Sequence, residues 1–116
     1  MLAVLMQAAS VIGGLVTLTL AVGFACNPQG AMEKATHRPE KLPMVMAGRY
    51  MAFTALAFGA ALYGDPVPIL YLFAVFSAVS FFDAWIYARE GQPWGPHAAA
   101  GAACFVTIAL AAALIL

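Results

Sequence analysis

Charge is what this chain has least of: five basic and five acidic side chains in 116 residues, summing to zero. That balance gives no electrostatic reach toward nucleic acid or acidic substrates. Cys26 and Cys104 are the only cysteines and form no Cys-x-x-Cys pair, so a redox or thiolate–metal motif is excluded. Both read as buried free thiols. His37 and His97 are the only histidines, with no His-x-x-x-His spacing, so no metal ligand set is assigned and axial haem ligation lacks a matched pair. A Gly-rich phosphate loop is absent too, and the residues leave any cofactor unspecified.

What is present is apolar surface. Hydrophobic residues make up 65% of the chain and mean hydropathy is +0.93, which places it in the membrane class and in one domain, residues 1–116. Four apolar segments, about 2–25, 44–63, 66–88 and 96–116, each approach the ~20 residues that cross a bilayer core as a helix. The first lacks a basic n-region and a clear cleavage site, so it is read as a retained helix, not a removed signal. The fold expected is all-α: a membrane-spanning antiparallel four-helix bundle.

Local signals set the boundaries. Gly64-Asp65-Pro66 predicts a tight turn, with Asp65 as N-cap and Pro66 at the first helical position. Gly95-Pro96 opens the fourth segment similarly. Asn27 is placed to cap a short interfacial helix from Pro28 to about His37, ended by Arg38-Pro39. Lys34, Arg38 and Lys41 lie in the first connection and Arg89 in the third, whereas the connection around Asp65 has no basic residue. The positive-inside rule then puts both termini on the non-cytoplasmic side, with Tyr50, Tyr87 and Trp94 at the cytoplasmic interface. Small-residue surfaces, Ser10-x-x-x-Gly14, Gly48-x-x-x-Ala52, Ala55-x-x-x-Gly59 and the alanine-rich fourth segment, are expected to pack within the bundle. The third segment supplies bulk, from Tyr71 through Phe81 and Trp85 to Tyr87.

Two charges interrupt the apolar segments. Arg49 lies six residues beyond Pro43, and Asp83 six residues before Arg89. Each is thus about 9 Å inside its helix. Charges held at that depth are costly and are usually paired. Antiparallel neighbours would bring these two to matching depth as a bidentate ion pair. His97 opens the fourth segment on the same side and is expected as a hydrogen-bond partner of Asp83 or a proton carrier, against the plainer reading of an interfacial histidine. Ser80, Asp83 and Tyr87 share a helix face; for Ser80 a back-bond to its own helix is expected, and for Tyr87 an interface role. Tyr50 points about 100° away from Arg49. The cluster Arg49, Asp83, His97, Tyr87 and Ser80 either fixes helix register or lines a site, and no residue in it is assigned as catalytic, Asp83 and His97 being the candidates.

Taken together, Asn27-Pro28, Gly48-Arg49, Phe82-Asp83, Gly91 and His97 resemble the pattern of small DoxX-like four-helix integral membrane proteins of bacteria and fungi, whose function is unknown. The resemblance implies a fold and a polar cluster, not an activity. Where such proteins show Gly-x-Arg-Asp, this chain reads Gly48-Arg49-Tyr50, without the acidic neighbour.

Two functions fit these residues. One is a non-catalytic accessory subunit of a larger membrane complex, possible hosts being respiratory or photosynthetic, with the lipid bilayer, other membrane subunits or further copies of the chain as partners and no nucleic acid. The other is a membrane-embedded enzyme or binder of a small apolar molecule, using Arg49, Asp83 and His97. The bacterial cytoplasmic membrane is the expected location. A transporter is disfavoured, because no charge sits near the bilayer midplane and no segment is visibly broken there.

Overall fold

In a computed structural model, which describes residues 1–12 and 15–116, the chain is helical, with no strand among the described residues. The elements are α1 (Leu2–Cys26), α2 (Pro28–Lys34), a 3₁₀ turn (Pro39–Lys41), α3 (Leu42–Tyr63), α4 (Pro66–Arg89) and α5 (Gly95–Ile115). Four helices are long and apolar enough to cross a membrane: α1, α3 with its preceding 3₁₀ turn, α4 and α5. Of the Ser10-x-x-x-Gly14 surface, Gly14 lies outside the described residues. The chain divides into two compact units, Met1–Gly48 and Arg49–Leu116.

In the first unit, the Asn27 side chain accepts a hydrogen bond from the Gly30 amide at 3.1 Å, and Pro28 occupies the first turn, where a missing N–H costs nothing. The helix stops at Lys34, earlier than the proline at 39 suggests. Thr36 turns into the left-handed region (φ 58°), so that His37 N–H reaches the Met32 carbonyl at 2.8 Å and Thr36 N–H the Glu33 carbonyl at 3.1 Å. That is the paired closure of a Schellman motif. α2 folds back on the end of α1, with Ala31 beside Gly23 and the Phe24 and His37 rings 6.2 Å apart. α3 begins at Leu42 rather than Met44, because the 3₁₀ turn runs straight into it and Pro43 falls in its first turn.

In the second unit, Gly64 (φ 78°) and Asp65 make the two-residue link to α4. The Asp65 carboxylate accepts from the Val67 amide at 2.9 Å, as an N-cap should. α4 closes on Gly91 (φ 67°), with Gln92 N–H on the Tyr87 carbonyl at 2.9 Å. This repeats the Schellman closure, now with the residue that suits it.

α4 and α5 form an antiparallel hairpin. The buried residues are Ser77 and Ala84 on α4 and Gly101 and Ala111 on α5, all small. The Ser77 hydroxyl donates to the Gly101 carbonyl across the interface at 3.0 Å. Phe81 lies so close over Gly101 that a Cβ there would sit 2.9 Å from the ring. Lower in the hairpin, Phe81 tilts against Phe105 at 6.1 Å. Without a hydrophobic drive between helices in lipid, close backbone approach and cross-helix hydrogen bonds carry such contacts.

α3 meets α4 differently, through rings: Phe53 and Phe76 are 5.2 Å apart, Tyr50 packs edge-on against Phe53 at 6.0 Å, and Phe73 against Phe76 at 5.5 Å. Within the second unit, a Cβ built on Gly59 meets nothing within 4 Å, so Gly59 makes no close contact with α4 or α5.

Candidate functional site

Three helix faces in the second unit converge on a cavity of about 240 Å³. α4 contributes Phe76, Val79, Ser80 and Asp83, and α5 contributes His97, Ala100 and Cys104. Both sets follow the three- and four-residue spacing of one helical face. From α3 come Tyr50 and Phe53, one turn apart. Asp83 is half-buried, six residues from the end of α4, hence about 9 Å inside the helix.

The ion pair expected between Arg49 and Asp83 is not formed: no Arg49 nitrogen lies within 4.0 Å of the carboxylate. Arg49 is exposed and does not line the cavity. A helix advances about 100° per residue, so either Arg49 or its neighbour faces α4, and it is the neighbour. Tyr50, about 100° round the helix from Arg49, is the residue that lines the cavity.

His97 is not bonded to Asp83 either. Its ring lies flat against Tyr87, with centroids 4.9 Å apart and planes at 21°. Tyr87 thus touches the lining residue His97 while lying outside the lining set itself. Ser80 lines the cavity without the back-bond expected of it, unlike Thr19, which bonds back to Leu15, and Thr54, which bonds back to Tyr50. The serine that the sequence reading overlooked, Ser77, carries the cross-helix bond. Its signal was a small polar residue one turn before Phe81, opposite the glycine of an alanine-rich helix.

Among the described residues, neither Asp83, Ser80 nor His97 makes a hydrogen bond or ion pair within the chain. None of their polar atoms is sealed away from the cavity or its mouth. The cavity therefore presents a carboxylate acceptor, a hydroxyl, an imidazole and a phenol against an aromatic wall. Of the two thiols read as buried, Cys104 is half-buried in this lining and Cys26 is exposed at the end of α1. Arg89 turns back over Trp85, 4.6 Å from the ring centroid, rather than reaching toward Asp83.

The other end of the α3–α4 pair holds a groove of about 410 Å³, lined by Leu56, Gly59, Tyr63, Pro68, Tyr71 and neighbours, with no charged side chain. Within the second unit that contrast sets the Asp83 cavity apart; in the first unit a groove of about 460 Å³ beside α2 is lined by Pro28, Gln29, Met32, Glu33, His37 and Pro39. Comparison with family models, curated proteins and solved structures finds no match to the chain.

Proposed function

We propose that this chain is an integral membrane protein that binds a small molecule in the cavity between α3, α4 and α5. The observation carrying the reading is the convergence of Asp83, Ser80, His97 and Tyr50, unpaired with one another, on one aromatic-walled space. A cavity with few polar groups pointing inward is the usual form of a ligand site. The proposed setting is an antiparallel four-helix bundle of DoxX-like layout in a bacterial cytoplasmic membrane. Both termini lie on the non-cytoplasmic side, since Lys34, Arg38, Lys41 and Arg89 fall in the first and third connections.

The test is a thermal-shift screen of small compounds on the detergent-purified chain, with Ala100→Leu as a cavity-filling control. A ligand at a hundred times its Kd stabilises its host by about 2.7 kcal/mol. The expected result is a compound that raises the melting temperature of the parent and not of the filled variant. If no compound separates the two, the reading fails.

A second reading, that of a non-catalytic accessory subunit, is favoured by a different observation. None of the described residues of Met1–Gly48 is buried, although α1 carries leucines and valines along its length. Lipid, the other helices of the proposed bundle or a partner helix would cover such a face. Mass spectrometry of the chain released from native membranes in mild detergent decides between them: stoichiometric partners support the subunit role, and the chain in isolation removes it.

A further inference from the structure

We propose that the ligand of this cavity is a small organic cation, an amine or quaternary ammonium group no larger than choline, with Asp83 as its counter-ion and Tyr50, Phe53 and Phe76 as its aromatic wall. The inference rests on the small-molecule reading of the cavity and replaces the neutral apolar ligand with a charged one.

Charge is the first argument. A carboxylate about 9 Å inside an apolar helix is expensive unless something answers it. Among the described residues nothing pairs with it: Arg49 is exposed and does not line the cavity, and Arg89 lies over Trp85. His97, which lines the same cavity, is stacked on Tyr87 instead of bonded to Asp83. A cation brought by the ligand supplies the missing partner.

The wall supplies the second. Tyr50, Phe53 and Phe76 form a continuous aromatic series, with ring centroids 6.0 and 5.2 Å apart, on the cavity's α3 and α4 sides. A cation within about 6 Å of a ring centroid is attracted by its quadrupole, more strongly once desolvated. Aromatic rings beside one carboxylate are the chemistry that recognises an ammonium group and is indifferent to its alkyl substituents.

Volume is the third. Some 240 Å³ corresponds to about eight water-sized groups at ~30 Å³ each. That falls below the 300–1,000 Å³ typical of pockets for drug-sized ligands and suits a compact ammonium head.

The experiment compares choline with its neutral isostere 3,3-dimethylbutan-1-ol, by equilibrium dialysis and calorimetry on the full chain in nanodiscs. The expected result is saturable choline binding at one per chain, at least tenfold tighter than the alcohol. Asp83→Asn should lower choline affinity at least tenfold and leave the alcohol unchanged. Because the two ligands are compared on the unaltered protein, the result stands even if that variant misfolds; Phe76→Leu, which keeps an apolar wall, is the second variant and should weaken choline selectively. Equal binding of both ligands overturns the cation and leaves the small-molecule reading intact. Choline binding that survives Asp83→Asn in folded protein also overturns it, by placing the cation elsewhere. Binding of neither ligand overturns the cation, whereas the small-molecule reading falls only if the wider compound screen fails as well.

Discussion

The α4–α5 hairpin and helix α1 are both long and apolar, yet they differ in what they hide. The hairpin buries a serine, two alanines and a glycine. Its large side chains turn outward, with Phe82 58% and Trp85 52% exposed. Within its own unit α1 buries nothing among its described residues and meets only the short helix that folds back at its end. In water, size and apolarity would decide burial. Here smallness does, because a leucine gains little by exchanging lipid for protein while a glycine lets two backbones touch.

The largest effect should come from breaking that contact. Gly101→Leu drives a side chain into the Phe81 ring, where even a Cβ is already within 2.9 Å. Overpacking of this kind costs about 1–3 kcal/mol, read as a lower unfolding midpoint in denaturing detergent. Adding Phe81→Ala should recover part of the loss, since the clash is pairwise. If the double variant is no more stable than Gly101→Leu alone, Phe81 is not what holds the helices at this distance.

Next comes a difference between the units at one shared motif. Both α2 and α4 end in a Schellman closure, but the left-handed position holds Thr36 in one and Gly91 in the other. A side chain there costs about 1–2 kcal/mol. Gly91→Thr should therefore destabilise the α4 end by about that amount, and Thr36→Gly should tighten the α2 end, offset in part by the greater freedom glycine has when unfolded. Amide hydrogen exchange at Gln92 and His37 reads the two ends separately: faster in the first variant, slower in the second.

Ser77→Ala removes the bond to the Gly101 carbonyl without changing the fit. Interhelical hydrogen bonds in membranes average about 0.6 kcal/mol, so a loss of that order is expected, well below that of Gly101→Leu. A larger loss from the serine would reverse the ranking and make hydrogen bonding, not close approach, the main adhesive of the hairpin.

These contrasts also explain what the sequence could reveal. Helix ends were legible because their signals are local: Asn27 and Asp65 cap as their positions imply, and Pro66 and Gly95 open helices. Faces were not. A helix apolar all round carries no stripe to say which side meets a neighbour. A one-residue error turns the assignment through about 100°, enough to exchange Tyr50 for Arg49 as the residue facing Asp83. Asp83, Ser80 and His97 were recognised as neighbours because polar residues in apolar helices stand out. Their aromatic wall was not, because Phe53 and Phe76 look like any other lipid-facing phenylalanine.

The smallest expected effect bears most directly on function. Leu15, in the middle of α1, is 58% exposed. Leu15→Ala should change stability by less than about 0.5 kcal/mol, as substitutions away from packed contacts do. Truncating a buried leucine would cost about 2–5 kcal/mol, so a measured loss in that range would show α1 packed within the folded chain. A near-zero result leaves lipid or a partner as the cover, and the same variant separates them. Lipid accepts alanine in place of leucine with little consequence, so recovery of any co-purifying protein should be unchanged. A partner helix shaped to the leucine loses contacts it cannot replace, so recovery should fall while the melting temperature of the isolated chain holds. Stability and association need not move together in a helix none of whose described residues is buried, and Leu15 is where they can be read apart.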